Sequence, residues 1–322
     1  MRNLRLSTET FPAETCNIDD LYAQRCALER GRFAPNTEKS YTQDWKMFSR
    51  FCDRASRSNL PATTDTIALY LTDLLCHGRK VSTAVRRTSG ISHMHRMNGY
   101  PSPVTEKIWR MLSGAKRLRQ EQPRQMKPLT LDQVRTISGM LAAEETIEAI
   151  RDRAIFVLGF TSALRRSNIT ELLLEDVAFV PQGVVLKIRR EKCDQEGKGR
   201  TIGVASGQHA DTSLPQCLRD WLAVRGVSPG PLFTTVRERQ IRKLSPAAVG
   251  RIVKRGVERL GLDQTKYAGH SLRSGFVVTA GEAGVSHLII AEHVGHKRLD
   301  TLRRYFRPSD VFKSNASAQI GL

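Results

Sequence analysis

Apolar side chains recur at helical spacing throughout the first third of the chain. Four of them fall at i, i+4, i+7 and i+11, on one face of an amphipathic helix: Tyr41, Trp45, Phe48 and Cys52. Asn36 and Thr37 stand just before this stripe and are residue types that cap helix N-termini. Similar spacing predicts four further helices: Ile18–Arg30, Thr64–His77, Ser82–Met97 and Pro103–Arg117. We therefore expect residues 1–116 to form an all-helical bundle.

A polar stretch at 117–128, RLRQEQPRQMKP, interrupts this pattern with two prolines and repeated Arg, Gln and Lys. Such a composition is typical of an exposed connection between domains. The sequence therefore predicts an interdomain linker at 117–128, between a first domain at 1–116 and a second at 129–322.

The second domain combines helical spacing with period-two alternation. Helical spacing predicts six helices: Leu131–Glu145, Ile150–Phe160, 213–225, 245–260, 271–283 and 286–294. Apolar and polar residues alternate in Val177–Ile188 and in Arg200–Ala205, which predicts a small antiparallel sheet. The connection between these strands, RREKCDQEGKG, is turn-rich and basic. We expect an α+β domain that is mainly helical.

The charge balance points to a class of partner. The chain has 322 residues, with 51 Lys or Arg against 32 Asp or Glu, for a net charge of +19. Its 40% hydrophobic and 26% charged residues are ordinary for a folded protein, so the excess charge lies on a folded surface. Such a surface favours a polyanionic partner, most often nucleic acid, although ribosomal association or an anionic membrane would give the same sign.

The sequence lacks the signatures of several protein classes. The six cysteines form no C-x-x-C pair and have no His at metal-ligand spacing, so neither a zinc site nor a disulfide framework is indicated. The P-loop, GxGxxG, HExxH and GxSxG patterns are absent. The first residues lack the apolar stretch of a signal peptide, and the longest apolar run, Ala154–Phe160, is too short to span a bilayer. We expect a cytoplasmic protein with no membrane partner.

Two predicted helices carry Arg and Lys opposite an apolar stripe, as elements that lie against a phosphate backbone do. The candidates for DNA binding are Arg86, Arg87 and Arg96 in the first helix, and Arg251, Lys254 and Arg255 in the second. A solvated charged face would show the same pattern, and the sequence leaves both interpretations open for either helix.

A set of Arg, His and Tyr residues follows a fixed order in the second domain. Ala163-Leu-Arg-Arg-Ser167 comes first, then His270-x-x-Arg273, then Gly295-His296, and then Tyr305 nine residues after His296. H-x-x-R alone is weak evidence, since His93 and Arg96 have the same spacing. The ordered set resembles the tyrosine recombinase family, also called the phage integrase family, which includes the Cre and Xer-type recombinases. The positions that match the family's pattern are Arg165, Lys192, His270, Arg273, His296 and Tyr305.

The resemblance implies a fold and an active site. The helical first domain is similar to the family's SAM-like core-binding domain, and the second to its catalytic domain. Arg165 and Arg273 would hold the oxygens of a phosphodiester, because guanidinium groups bind phosphate bidentately and stay charged at any working pH. Tyr305 would be the nucleophile, and the product would be a 3′-phosphotyrosine that stores the bond energy. No cofactor, metal or ATP is then required.

The remaining family positions would transfer protons or hydrogen-bond the phosphate. The Tyr305 phenol has an ordinary pKa of about 10 and needs a proton acceptor, for which His270 is the candidate. His296 would hydrogen-bond the scissile phosphate. Lys192, on the predicted hairpin, would protonate the departing 5′ oxygen. Lys187 and Lys198 compete for this last role, and Arg166 competes with Arg165 for the first.

The resemblance also implies partners and an assembly. The partner would be double-stranded DNA with specific recombination sites, held by a homotetramer that exchanges strands through a Holliday junction. A need for an accessory DNA-bending protein, and docking of the tail after Tyr305 onto a neighbouring subunit, stay open. One position departs from the pattern: the family commonly has an acidic residue three positions after the first Arg, where this chain has Asn168.

Three other functions remain alternatives at this point. A type IB topoisomerase would use the same nucleophile to relax DNA without sequence choice. A DNA-binding regulator of recombinase ancestry would no longer cut, although the full set of six residues argues against it. An RNA-binding protein is suggested by charge alone.

Overall fold

The computed structural model describes residues 17–18, 20–21, 24–25, 35–121, 125–191, 199–236 and 242–296. Most of the helix expected at Ile18–Arg30 lies outside these residues, as do Lys192 and Tyr305. The chain divides into two compact units, Met1–Pro123 and Arg124–Leu322, each with its own hydrophobic core. The division falls inside the polar stretch at 117–128.

The first unit is built from helices, as the apolar spacing predicts. Its four long helices within residues 35–121 are α1 (Pro35–Arg54), α2 (Thr64–Cys76), α3 (Val81–Met97) and α4 (Glu106–Arg119). Their apolar faces meet in a core that includes Phe48, Tyr70 and Ile91, each at most 2% exposed. The rings of Phe48 and Tyr70 meet edge to face, with their centroids 5.2 Å apart, and so join α1 to α2.

Several helix boundaries in this unit differ from the prediction, and two of them have a clear physical reason. α1 begins at Pro35, so Asn36 and Thr37 lie in its first turn, and the prediction that they cap it is wrong. Proline suits the first helical position because the N–H that it lacks would have no partner there. α4 continues to Arg119, into the stretch expected to be linker, and its last turn is basic, which the helix dipole favours.

The second unit is mainly helical with one small sheet, as expected for an α+β domain. Its helices are α5 (Leu131–Ala142), α6 (Ile147–Thr161), α7 (Arg166–Glu171), α8 (Leu214–Arg225), α9 (Pro246–Arg259), α10 (His270–Glu282) and α11 (His287–Val294). Its strands are β1 (Val177–Val180), β2 (Gly183–Ile188) and β3 (Arg200–Ala205). Single 3-10 turns lie at Leu174–Asp176, Ala210–Thr212 and Gln264–Lys266.

The sheet is antiparallel, as predicted, with the order β1-β2-β3. Val177–Ile188, expected as one strand, is instead a hairpin whose turn is Pro181–Gln182. Pro181 has no N–H to donate to a strand ladder. Gly183 lies so close to β3 that a Cβ there would come within 2.0 Å of the Val204 carbonyl oxygen. Proline and glycine together therefore turn the chain where the alternation alone predicts continuity.

α6 forms the centre of the second unit's core. It contacts α5, α8 and α10, and Ala154, Phe156 and Leu158 are at most 1% exposed. A helix that is covered on all sides explains the apolar run Ala154–Phe160. Among the described helices, none is both long enough and apolar enough to cross a membrane. The C-terminal end of α6 leads directly into the turn that carries Arg165.

Candidate active site

The turn between α6 and α7 sets the direction of Arg165. Ala163 has a φ of +50°, in the left-handed region that a residue with a Cβ adopts at a cost of about 1–3 kcal/mol. Leu164 is buried, and Arg165 follows in extended conformation as the N-cap of α7. The side chain of Arg165 is 22% exposed, whereas Arg166 is exposed. The structure therefore favours Arg165 over Arg166 as the arginine of the site.

Arg273 joins α10 to the same turn. It lies on the first turn of α10, is 1% exposed, and donates from Nη1 to the carbonyl oxygen of Ala163 over 2.8 Å. The left-handed conformation of Ala163 thus presents a carbonyl to a buried guanidinium, which needs hydrogen-bond acceptors away from water. The strained turn and the buried arginine hold each other in place.

His270 is the first residue of α10, one helical turn before Arg273. It retains an exposed surface, although part of the residue is withdrawn from solvent. This loss of solvent, followed by the positive charges of Arg273 and Arg165, lowers the pKa of His270 from its ordinary value. The imidazole is therefore neutral near pH 7 and able to accept a proton.

His296 follows the end of α11 and lies near Arg273, Arg165 and His270. Gly295 ends that helix in the left-handed conformation, with a φ of +68°, and the backbone N–H of His296 donates to the carbonyl oxygen of Ala291 over 2.9 Å. Loss of solvent, and then the charges of Arg273 and Arg165, lower the pKa of His296 to about 4. A neutral imidazole can donate one hydrogen bond and accept another.

Four of the six predicted catalytic residues are therefore neighbours. Arg165 and Arg273 act on the pKa of both histidines, and His270 also acts on the pKa of His296. These residues come from the α6–α7 turn, the start of α10 and the end of α11, which the fold brings to one place. Two guanidinium groups beside two neutral imidazoles form a site suited to a phosphate.

The structure adds two residues that the sequence analysis missed. The carboxylate of Glu191, 8% exposed, lies 3.4 Å from Arg165 Nη1 and 3.2 Å from Arg200 Nε. Arg200, the first residue of β3, also donates over 2.8 Å to the carbonyl oxygen of His293 in α11. The position of Glu191 beside Lys192 is a signal that could have drawn attention to it.

Asn168, the departure from the family pattern, has a defined contact. It is 6% exposed, and its side-chain amide Nδ2 donates to the carbonyl oxygen of Arg190 over 2.9 Å. A carboxylate at this position could accept but not donate a hydrogen bond. Asn168 thus fixes the backbone just before Glu191.

Lys192 and Tyr305 lie outside the described residues, so their roles stay predictions. Within the described residues, no group of three or more His, Cys, Asp or Glu side chains could hold a metal ion.

The predicted basic face of α3 needs a correction. Arg87 is 8% exposed and donates to the Tyr70 hydroxyl, so it is a core residue and not part of a DNA-binding surface. Arg86 is ion-paired with Asp44, although its side chain is 47% exposed. Arg96 is exposed near the end of the helix. The apolar stripe opposite the predicted face is correct, but the face itself is partly occupied by contacts within the unit.

The basic face of α9 is more exposed than that of α3, and its binding to DNA stays a prediction. Its apolar stripe is buried through Val249, Val253 and Val257. Arg251 is exposed and Lys254 is half-buried. Arg255 is also exposed, but its guanidinium is bound to the carboxylate of Asp152 over 2.8 Å.

The chain is similar to known proteins of one family. A family model described as the phage integrase family matches residues 127–311. An integrase/recombinase XerD homolog of Selenomonas ruminantium is 33% identical over 296 residues, which are 90% of this chain and 86% of that protein.

Two solved structures share the fold. The Tn1549 transposon integrase in complex with circular intermediate DNA has a TM-score of 0.63 at 16% identity, over 96% of this chain and 100% of that one. A lambda integrase tetramer bound to a Holliday junction has a TM-score of 0.59 at 19% identity, over 92% of this chain and 78% of that one.

The chain belongs to the phage integrase family. It is a tyrosine-type recombinase, an enzyme of site-specific recombination. The predictions of family, fold class and enzyme type are therefore confirmed.

Proposed function

We propose that this enzyme cuts and rejoins duplex DNA at specific sites, with Tyr305 as the nucleophile and a 3′-phosphotyrosine as the intermediate. The observation that carries the proposal is the convergence of Arg165 and Arg273 with two histidines, whose pKa values are lowered by loss of solvent and then by these two arginines. The division of labour between the domains is part of the proposal: residues 1–116 form the core-binding domain, and residues 129–322 form the catalytic domain.

The two arginines supply the positive charge of the reaction. In the transition state negative charge grows on the non-bridging oxygens of the phosphodiester, and preorganised donors stabilise it most. Arg273 is held by the Ala163 carbonyl and Arg165 by Glu191, so neither guanidinium has to be ordered when DNA binds. Fixed guanidinium groups here provide the charge that other phosphoryl-transfer enzymes obtain from a metal ion.

Both histidines are neutral near pH 7, so His270 can accept a proton and His296 can donate a hydrogen bond. The phenol oxygen of Tyr305 attacks phosphorus and forms a new P–O bond, while its proton passes to His270. A charged His270 could not accept this proton, which is why the lowered pKa matters. His296 donates a hydrogen bond to a phosphate oxygen.

The leaving group departs as a 5′-hydroxyl. The bond between phosphorus and the 5′ oxygen breaks, and Lys192 gives that oxygen its proton. A second 5′-hydroxyl then attacks the phosphotyrosine by the same steps in reverse, which releases Tyr305. Bond energy is conserved throughout, so the reaction needs neither ATP nor another cofactor.

A homotetramer on two DNA sites is the proposed working assembly. Support comes from the fold shared with a lambda integrase tetramer bound to a Holliday junction. The net charge of +19 suits a partner with a continuous phosphate backbone. The cell compartment consistent with this substrate is the cytoplasm.

Covalent capture tests the proposal directly. Wild-type protein and Tyr305→Phe are expressed in cells that carry candidate host DNA, protein-linked DNA is recovered under denaturing conditions, and the attached ends are sequenced. We expect sharply defined 3′ ends that are enriched with the wild type alone. These ends also identify the DNA site for every later assay.

Two other results would replace the proposal with one of the alternatives. Linked ends scattered over the DNA would indicate topoisomerase-like relaxation without sequence choice. Tight DNA binding by both proteins, without linked ends from either, would indicate a regulator that does not cut.

A further inference from the structure

Glu191 occupies a position between three parts of the active site. Its carboxylate contacts Arg165 at the α6–α7 turn and Arg200 at the start of β3. Arg200 in turn donates to the carbonyl oxygen of His293, three residues before His296. Glu191 also directly precedes Lys192 in the chain. The Glu191 side chain therefore contacts Arg165 directly and, through Arg200, the end of the helix before His296, while its backbone leads into Lys192.

Gly295 packs directly against the ion pair formed by Glu191 and Arg200. A Cβ at Gly295 would come within 2.7 Å of a Glu191 carboxylate oxygen and 2.8 Å of Arg200 Nε. The left-handed φ of Gly295 strains any larger residue there, and a Cβ would also displace the ends of the Glu191 and Arg200 side chains. The end of α11 is thus seated directly on the pair formed by Glu191 and Arg200.

We infer that Glu191 is the positioning carboxylate of this active site. It fixes the guanidinium of Arg165 and, through Arg200, ties the stem of the hairpin that carries Lys192 to the end of α11 that carries His296. It brings the negative charge that Asn168 does not, while Asn168 holds the backbone of Arg190 so that Glu191 points to both arginines. The inference rests on the proposed function for its kinetic test.

The kinetic test compares Glu191→Gln with a matched control in the same region. Glu175→Gln removes a carboxylate that pairs with Arg189 beside the hairpin stem but that is 60% exposed. On the DNA site recovered by covalent capture, Glu191→Gln is expected to slow adduct formation about 10–100-fold, the range for residues that orient an active-site group. Its DNA dissociation constant should change less than about threefold, because Glu191 is not proposed to contact DNA.

Two further variants separate positioning from mere stability. Glu191→Asp keeps the charge and should recover part of the lost rate. Arg200→Lys keeps the charge but loses the planar fork, and combined with Glu191→Gln it should add little to the loss, because the two residues act as a unit. Three results would overturn the inference. They are equal rate losses in Glu175→Gln and Glu191→Gln, a rate for Glu191→Asp no higher than that for Glu191→Gln, and rate losses of Glu191→Gln and Arg200→Lys that add fully in the double variant.

A test without DNA keeps the inference independent of the proposed function. In the free protein, Glu191→Gln should speed amide hydrogen exchange at residues 293–296 by about tenfold, as expected when a local opening loses a stabilising tie. Glu175→Gln should leave this exchange unchanged. Unchanged protection in Glu191→Gln would contradict the tie, whereas an absence of Tyr305-dependent adducts with wild-type protein would contradict the proposed function instead.

Discussion

Two arginine clusters in this chain are built differently, one in each unit. In the first unit, Arg86 and Arg87 flank the buried carboxylate of Asp44, and Arg87 also donates to Tyr70. In the second unit, Arg165 shares Glu191 with Arg200, yet the pKa values of two histidines are lowered by loss of solvent and then by the charges of Arg273 and Arg165. The first cluster uses its charge to join helices, whereas the second retains a positive field where a substrate phosphate would lie.

The comparison shows how a structural arginine differs from one that we propose to be catalytic. Burial alone does not distinguish them, because Arg87 and Arg273 are both buried, at 8% and 1% exposure. The difference lies in the groups beside each arginine, a carboxyl group in the first cluster and two imidazoles in the second. At Asp44 burial raises the pKa of the carboxyl group more than the two arginines lower it, and both guanidinium groups are bound to that carboxylate. At His296 loss of solvent, and then the charges of Arg273 and Arg165, lower the pKa to about 4.

The sharpest test of this difference exchanges each buried arginine for lysine. Arg273→Lys keeps a charge but loses the planar fork, and should slow covalent DNA cleavage about 10²–10³-fold, as loss of one preorganised donor does in other enzymes. Arg87→Lys is the matched control and should change the cleavage rate by less than about threefold while lowering the melting temperature. Single-turnover adduct formation measures both. Similar rate losses in the two variants would show that Arg273 has no special role in cleavage.

The structural cluster should respond in stability. Asp44→Asn removes the charge that Arg86 and Arg87 share, and leaves a buried guanidinium poorly compensated. We expect the free energy of unfolding to fall by about 1–3 kcal/mol, the cost of leaving a buried polar group without its partner. Chemical denaturation measures the change. An unchanged free energy of unfolding would show that this cluster does not join the helices.

The histidines should make the stability of the second unit depend on pH. The unfolded chain binds a proton at His296 below about pH 6.5, whereas the folded chain resists protonation until about pH 4. Because the unfolded state binds more protons in this window, stability falls as the pH is lowered through it. His296→Asn removes this contribution, so denaturation midpoints between pH 7 and 5 should fall less steeply than in the wild type. Parallel curves would contradict the lowered pKa.

The smallest expected effects concern DNA affinity. Arg251 is exposed, whereas Arg255 is already bound to Asp152. We expect Arg251→Gln to reduce the slope of log affinity against log salt by about 1, as loss of one phosphate contact does, and Arg255→Gln to reduce it less. Binding titrations at several salt concentrations measure both slopes. A larger loss with Arg255→Gln would reverse the order of the two residues on this face.

Much of the fold follows from the sequence because the periodicities are strong. The stripe of α9 and the buried α6 are direct consequences of apolar spacing, and the hairpin within Val177–Ile188 differs because Pro181 and Gly183 turn the chain. The error at Arg87 has a physical cause as well. Helical spacing gives the direction of a side chain, but it does not show that Asp44 of α1 and Tyr70 of α2 face it.

The site was predictable to the extent that it follows the order of a family pattern. Arg165, His270, Arg273 and His296 were identified in this way, and the fold places them together. Glu191 and Arg200 were missed because their partners lie in the α6–α7 turn, on α11 and in the hairpin stem, so that only the folded chain brings the charges together. Contacts between distant segments leave no periodic signal in the sequence.

The identity of the nucleophile is the central claim, and mass spectrometry of the covalent adduct tests it most directly. Trapped complexes are digested with nuclease and protease, and the peptide that carries a nucleotide is sequenced. We expect a 3′-phosphonucleotide on Tyr305. Adducts should be lost in Tyr305→Phe and retained in Tyr267→Phe, which changes the other tyrosine of the second unit, a buried one. A nucleotide on any other residue, or adducts that persist in Tyr305→Phe, would contradict the account.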